Sequence, residues 1–226
     1  MFIPATKDEA RTLGWNNFDI ILVSGDAYID SSTSGAAVVG HWLIHHGFRV
    51  GIIAQPDISN NADITRLGEP LLWWGVTSGA LDSMVSNYTS LGKRRNKDDL
   101  TPGGENICRP DRALIVYTNL IRRYFKNTVP VVLGGVEASL RRVAHYDMWD
   151  NSIRRSILFD SKADMIVYGM GERAVLDIST NLKYGRPTEG IRGICYISRT
   201  KPEGFIELPP FESVCNNPDV FEEMFR

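Results

Sequence analysis

Five short apolar runs recur along the chain, and segments with the periodicity of amphipathic helices alternate with them. The runs are Phe18–Val23, Arg49–Ala54, Leu71–Val76, Val129–Leu133 and Ala163–Tyr168. They contain little polar alternation, which is typical of strands that are covered on both faces. The helical segments are Lys7–Leu13, Gly35–His46, Asn60–Leu67, Gly79–Asn87, Pro110–Phe125 and Gly171–Tyr184. This alternation predicts an α/β fold, with a doubly wound, mainly parallel sheet in a three-layer arrangement.

Four further segments have weaker patterns. Trp149–Phe159 favours a helix, and Gly193–Ile197 and Phe205–Leu208 favour short edge strands. Residues 88–109 show no apolar periodicity and carry basic residues between positions 93 and 97. This composition predicts a long exposed loop that is either disordered or a lid.

The loops that follow the strands of a parallel sheet meet at one edge, and ligands of such sheets bind there. The polar and glycine residues of these loops therefore form a candidate ligand-binding rim. The rim consists of Asp26, Tyr28, Asp30, Ser34, Gly35, Thr77, Gly134, Gly135, Glu137, Gly169, Gly171 and Glu172. No catalytic residue and no metal ligand is assigned. Gly134 and Gly135 form a glycine turn after the fourth strand. If this glycine turn acts in a longer enzyme, Gly135→Val should abolish activity while the domain stays folded.

Composition narrows the classes of partner and compartment. The chain has 226 residues and a net charge of -2, which gives no general attraction to nucleic acid or to an anionic membrane. Its three cysteines form no CxxC pair, no apolar run has transmembrane length, and the N-terminus lacks the apolar core of a signal peptide. We therefore expect a cytoplasmic protein whose cysteines are reduced.

Three glycine and histidine patterns each have more than one interpretation. Gly169–Ala174 fits the GxGxxA spacing of dinucleotide sites, but it follows the last strand rather than the first, and a simple tight turn is favoured. His145 lies near Glu137 in the sequence, yet one histidine is too few for a metal site, so a structural or surface role is favoured. His41, His45 and His46 are interpreted as a solvated helix face.

Two arginine pairs lie near the glycine turn, and their interpretation is open. Arg141-Arg142 and Arg154-Arg155 could hold an anion, or they could pair with nearby acids. Those acids are Asp147, Asp150 and Asp160.

Long stretches of the chain resemble the N-terminal domain of YgiQ-type (UPF0313-like) radical SAM proteins. The stretches run from Pro130 to Asp147 and from Ala163 to Arg173, with shorter matches at Gly25–Asp30, Gly51–Pro56 and Arg109–Ala113. The resemblance implies a Rossmann-like, cobalamin-binding-type domain over residues 1–210. It also implies that 211–226 begin a connector toward a downstream barrel. There a CxxxCxxC loop would hold a [4Fe–4S] cluster that binds S-adenosylmethionine.

Two departures from the family's patterns limit what this chain can do itself. It contains no CxxxCxxC, so no cluster cofactor is expected within it. The cobalt-ligating DxHxxG pattern is also missing, because Asp30–Gly35 places Ser32 where the histidine would be, so cobalamin is not expected.

The resulting expectation is an accessory domain of a radical SAM enzyme, not catalytic alone, that covers the barrel or helps hold an unknown substrate. A stand-alone small-ligand-binding module is the alternative. The end of the sequence also suggests a piece of a longer enzyme. Asn217-Pro218-Asp219 has the features of a helix start, and an apolar stripe begins just after it.

Overall fold

The computed structural model of the chain describes residues 1–201 and 203–225. The strands are β1 (Ile20–Ser24), β2 (Val50–Ala54), β3 (Trp73–Thr77), β4 (Val131–Gly134), β5 (His145–Asp147), β6 (Ser152–Arg154), β7 (Met165–Val167) and β8 (Ile194–Tyr196). The helices are α1 (Lys7–Thr12), α2 (Gly35–His45), α3 (Ala62–Thr65), α4 (Ser83–Asn87), α5 (Ala113–Tyr124), α6 (Gly135–Leu140), α7 (Ile157–Ser161), α8 (Glu172–Lys183), α9 (Phe211–Asn216) and α10 (Pro218–Glu223). Arg226, the last residue of the predicted connector, lies outside the described residues.

Six strands form one sheet in the order β2-β1-β3-β4-β7-β8, and β5 and β6 form a separate hairpin. All neighbours in the large sheet are parallel except β7 and β8, which are antiparallel. The predicted α/β class and mainly parallel sheet are confirmed, as are the five core strands. Gly193–Ile197 is also confirmed as an edge strand, shortened to β8.

Helices cover both faces of the sheet because successive strand residues point to opposite sides. Ile20 packs in one core with Leu43 of α2 and Ile178 of α8. The next residue, Ile21, packs in the opposite core with Leu114 of α5. This explains why the core strands read as unbroken apolar runs, and it confirms the three layers.

The prediction of a helix over Trp149–Phe159 is wrong, because this stretch completes the β5–β6 hairpin and then forms the short α7. Asn151 takes a φ of 49° in the turn between the two strands. Arg154 of β6 binds Asp150 across 2.6 Å and Asp160 across 2.8 Å, so its charge ties the hairpin to α7. Ion pairs therefore hold the hairpin against α7, while Ile157 and Leu158 of α7 pack in the core.

The prediction of a strand over Phe205–Leu208 is also wrong. Lys201 and Glu207 form an ion pair that closes a local loop. Pro209 and Pro210 follow directly, and proline cannot donate to a strand ladder. The apolar residues of this segment consequently remain on the surface, with Ile206 92% exposed.

The 88–109 segment is folded rather than disordered. It contains two isolated β-bridges, Tyr88 with Arg94 and Lys97 with Glu105, and a 3₁₀ turn at Pro102–Gly104. It ends in Arg109, whose side chain is fully buried. The segment lies against the carboxyl edge of the sheet, as the contacts of Arg109 show below.

The first residues of the chain cover the outer edge of β2. The N–H of Ile52 donates to the carbonyl of Pro4 across 2.9 Å. Ile3 is buried next to Gly40 of α2, where an added Cβ would lie 2.3 Å from the Ile3 side chain. One edge of the sheet is therefore closed by the chain's own N-terminus.

Candidate ligand-binding edge of the sheet

Three strand ends lie level at the centre of the carboxyl edge. The register pairs Ser24 of β1 with Thr77 of β3, and Thr77 with Gly134 of β4. The loops that begin after these residues therefore adjoin. The central part of the predicted rim (Asp26, Thr77, Gly134 and Gly135) lies here.

Asp26 connects two other parts of this edge through its carboxylate. Oδ2 accepts a hydrogen bond from the backbone N–H of Ala80 across 2.6 Å, and Oδ1 accepts one from Nη2 of Arg109 across 2.5 Å. At Gly79 an added Cβ would lie 2.1 Å from Asp26 Oδ1, so only glycine fits beside this carboxylate. Asp26 therefore holds the edge together, and its oxygens already have partners.

The two adjacent glycines have different surroundings. Gly135 has a φ of +85°, and an added Cβ would lie 2.6 Å from Thr77 Oγ1. Gly134 has a φ of -147°, which any residue adopts, and an added Cβ would have no atom within 4 Å. Gly135→Val would consequently strain the fold, contrary to the expectation from the sequence. Gly134 is the position that faces open space.

Glu137 lies under the edge rather than on it. Its side chain is fully buried, Oε2 accepts from the N–H of Ser83 across 2.8 Å, and Oε1 accepts from Arg141 across 3.2 Å. Arg141 also pairs with Asp82 across 2.7 Å. Burial, with the nearby Asp82 charge, raises the pKa of Glu137 above its ordinary value. This network joins α4 to α6, so Glu137 supports the turn from below.

The 88–109 segment folds over the neighbouring loops. The N–H of Ala27 donates to the carbonyl of Leu100 across 2.9 Å, and Gln55 Nε2 donates to Thr101 Oγ1 across 2.6 Å. The buried Arg109 guanidinium lies between Asp26 and Asp98, with 2.8 Å between Nη1 and Asp98 Oδ2. The chain thus covers the end of β1 itself.

Under this segment lie several buried polar atoms without a hydrogen-bond partner among the described residues. They are Asn87 Oδ1, Asn106 Oδ1, Arg109 Nε and Tyr117 Oη. Burial raises the pKa of the Tyr117 phenol. All four residues lie between the end of α4 and the first turns of α5, so the interior beneath the 88–109 segment is polar.

A second group of predicted residues lies where β1 leads into α2. The carboxylate of Asp30 pairs with His41, which holds the pKa of Asp30 below its ordinary value. Tyr28 Oη accepts from the N–H of Ile3 across 2.9 Å. Ser34 precedes α2 without a side-chain capping bond, and the space above Gly35 is open. His41 therefore contacts this loop, whereas His45 and His46 lie on the exposed helix face that the sequence predicts.

The third group follows β7, next to β4 in the sheet. The N–H of Gly169 faces Ser139 Oγ of α6 across 3.4 Å, and an added Cβ at Gly169 would be unobstructed. Gly171 caps α8, and Glu172 lies in its first turn. The parallel sheet places all three groups on one edge. The direct contacts join Asp26 to Ala80 and bring Gly135 against Thr77, whereas the outer groups flank this centre.

The arginine pairs mostly bind the chain's own acids. Arg154 pairs with Asp150 and Asp160, one of the two interpretations left open. Arg142 lies over the ring of Tyr168 at 5.1 Å. His145 is half-buried, with Nδ1 3.2 Å from the carbonyl of Val143, and burial lowers its pKa.

Neither a metal-binding set nor a membrane-crossing helix is found in the part of the chain that the structure describes. No three His, Cys, Asp or Glu side chains among residues 1–201 and 203–225 converge to hold an ion. Cys108, Cys195 and Cys215 are free, on the 88–109 segment, β8 and α9 respectively. No helix of these residues is both long and apolar enough to cross a bilayer.

Comparison with known families decides where the chain belongs. A family model described as Radical SAM N-terminal matches residues 2–226. The chain belongs to the radical SAM N-terminal family. This confirms the resemblance seen in the sequence between Pro130 and Arg173.

The curated relatives that this chain matches are considerably longer. UPF0313 proteins of Thermotoga petrophila and Fusobacterium nucleatum are 55% and 50% identical over 229 and 226 residues. One of Methanocaldococcus jannaschii is 49% identical over 235 residues. Each match includes 100% of this chain but only 39% to 40% of the relative. The chain therefore spans about two-fifths of the length of these relatives.

A solved structure with a similar fold is the radical S-adenosylmethionine methyltransferase TsrM from Kitasatospora setae. The TM-score is 0.52 at 19% identity, over 80% of this radical SAM N-terminal chain and 28% of TsrM. One TsrM structure contains tryptophan substrate and a SAM analogue, and another contains cobalamin and a [4Fe-4S] cluster. At this identity the similarity shows the shared Rossmann-like fold alone.

Proposed function

We propose that this chain is an accessory domain of a radical SAM enzyme and holds no iron–sulfur cluster itself. The observation that carries the proposal is the family match over residues 2–226, together with relatives of which the match covers only 40%. We assign the [4Fe–4S] cluster and S-adenosylmethionine to a CxxxCxxC barrel elsewhere in the same longer polypeptide. The scattered cysteines of this chain do not fit the thiolate set of such a cluster.

The proposed role of the domain is to cover the barrel or to help hold a small substrate at its carboxyl edge. Asp26, Glu137 and Arg109 fix the loops of that edge, and open space lies over Gly134 and Gly169. A fixed backbone beside open space is what a ligand-holding surface requires, because little ordering cost is left for binding. Three free cysteines agree with a reducing, cytoplasmic setting.

We also propose that the domain does not bind cobalamin, because it lacks the imidazole that would ligate the cobalt. Ser32 stands at the position where the cobalt-binding pattern has histidine, and the nearby His41 is paired with Asp30. TsrM has been solved with cobalamin, so the proposal needs a direct test. Mixing the full-length protein with hydroxocobalamin should leave no bound corrinoid after gel filtration, and stoichiometric retention would contradict it.

Anaerobic reconstitution with iron and sulfide tests where the cluster is held. The full-length protein should acquire a cluster with visible absorption, whereas residues 1–226 should acquire none. A stoichiometric cluster on residues 1–226 would overturn the proposal, because three distant thiols would then have to converge. A full-length protein without a cluster would favour the alternative, a stand-alone small-ligand-binding module.

A graded substitution at Gly134 tests the role of the edge. Gly134→Ala and Gly134→Trp fill the open space without steric conflict at Cβ, so the domain should keep its thermal stability. S-adenosylmethionine cleavage by the full-length protein should fall as the side chain grows. Leu71→Trp, at an exposed position of the opposite edge, is the matched control. Equal rates for Gly134→Trp and wild type would remove the edge from the proposal.

A further inference from the structure

An apolar groove lies apart from the carboxyl rim, between the β5–β6 region and the C-terminal segments. Its volume is about 400 Å³. Its main lining residues are Val143, Arg155, Phe159, Leu208, Phe211 and Met224. Two regions distant in sequence, 143–159 and 208–224, thus form one concave surface.

The groove has an exposed apolar lining and a cation in its wall. Phe159 is 51% exposed, and Leu208 is 43% exposed. The Arg155 guanidinium lies 4.9 Å from the Phe211 ring, and it forms an ion pair with Glu212 at 3.6 Å. Ile206 and Phe225, which lie close in sequence to the lining residues Leu208 and Met224, are also apolar and exposed. Contiguous apolar surface around a charged group is typical of a surface that another polypeptide covers.

We infer that the remainder of the full-length polypeptide docks in this groove. It places apolar side chains against the lining and a carboxylate against Arg155. The match covers 40% of the Thermotoga petrophila relative, so 60% of that relative lies outside the match. The matching family model describes an N-terminal region. Met224 forms one wall only two residues before Arg226, so sequence that continues from there begins beside the groove. An attached segment has a high effective concentration, which lets a small groove suffice.

The segment Phe205–Leu208, which is predicted as a strand but forms none, supports this assignment. The segment has the composition of a strand, yet among the described residues it pairs with none and leaves Phe205 and Ile206 on the surface. An apolar segment that the domain does not cover costs free energy in water. Contact with the remainder of the longer chain removes that cost.

Carbene footprinting of the full-length protein, read by mass spectrometry, tests the inference. Leu71 is the internal control, because its 53% exposure matches the 51% of Phe159 and it lies at the amino end of β3. Labelling of each residue in the native protein is normalised to the same residue in urea. Phe159 and Leu208 should be labelled several-fold less than Leu71, and labelling of Phe159 equal to that of Leu71 would overturn the inference.

Two further measurements distinguish the other occupants. Protection that disappears on dilution would identify a second copy of the chain and also overturn the inference. In full-length protein, Phe159→Asp should speed proteolytic cleavage just beyond residue 226 several-fold, whereas Leu71→Asp should not. The inference rests on the proposed function in one respect, because both assume that this domain belongs to a longer polypeptide. Footprinting needs no radical chemistry, so its outcome is independent of the Gly134 and cluster experiments.

Discussion

Replacement of the buried Arg109 should be the most damaging single change at the carboxyl edge. Arg109→Met keeps most of the side-chain volume but leaves Asp26 and Asp98 without their shared cation. Removing one partner of a buried ion pair costs about 3–5 kcal/mol. Both carboxylates keep other donors, Ala80 N–H for Asp26 and Thr101 Oγ1 for Asp98, so the lower figure applies.

A loss of about 3 kcal/mol has a measurable thermal signature. For a chain of this size each kcal/mol shifts the melting temperature by about 2–4 °C, so Arg109→Met should melt about 6–12 °C below wild type. Circular dichroism follows the transition, and hydrogen exchange should show faster exchange in residues 88–109. The exposed Arg173–Asp177 pair supplies the control, since Arg173→Met should cost no more than about 0.5 kcal/mol.

A second variant separates lost charge from lost packing. Adding Asp26→Asn and Asp98→Asn to Arg109→Met removes the uncompensated carboxylates and should recover part of the stability. If Arg109→Met melts as close to wild type as Arg173→Met does, the buried ion pairs do not hold the 88–109 segment in place. If the triple variant is as unstable as Arg109→Met, lost packing rather than uncompensated charge is responsible.

Three other predictions concern single positions. Gly135→Ala should destabilise by about 1–2 kcal/mol or more through its positive φ and the Thr77 contact, whereas Gly134→Ala should be nearly neutral in the same thermal melt. Because the folded-state pKa of Glu137 is raised above 4.5, its ionisation opposes folding. Wild type should therefore lose stability relative to Glu137→Gln as pH rises above 4.5, and a constant difference would contradict this. The lowered pKa of Asp30 stabilises the fold above its unfolded value of 3.8, and this contribution is lost as pH falls through the folded pKa. In His41→Gln, NMR titration should find the Asp30 pKa returned toward 3.8, and an unchanged value would exclude the pair as its cause.

The sheet could be predicted from the sequence because the patterns that indicate its strands and helices are local. Each core strand is an apolar run such as Ile20–Val23, and each covering helix has its own periodicity. The family resemblance pointed to the same class of fold. Parallel pairing then placed the loops at one edge without any knowledge of individual contacts.

The interior of the candidate site could not be predicted, because its bonds join residues far apart in sequence. Arg109 reaches Asp26 across a separation of 83 residues, and Ser83 reaches Glu137 across 54. Nothing local marks Glu137 as buried, since its partner Arg141 is also consistent with an exposed helix pair. The match to the family at Arg109–Ala113 indicates family membership but not the burial of Arg109.

The two wrong predictions, a helix over Trp149–Phe159 and a strand over Phe205–Leu208, also arise from interactions that are not local in sequence. In Trp149–Phe159, Arg154 forms ion pairs with Asp150 and Asp160 that hold the hairpin and α7 together. The spacing of apolar residues carries no information about such pairs. Phe205–Leu208 has strand composition, but a strand also needs a neighbour with free backbone groups. Composition alone does not tell whether that neighbour lies in the same domain.

The N-terminal covering of β2 has a practical consequence for anyone who expresses this protein. Met1 is 65% exposed, so an affinity tag can precede it without disturbing the fold. Trimming the first five residues would instead remove the Pro4 carbonyl from Ile52 and leave a hole above Gly40. The bared strand would then offer its backbone to other molecules, and preparations shortened in this way should form strand-paired aggregates on storage.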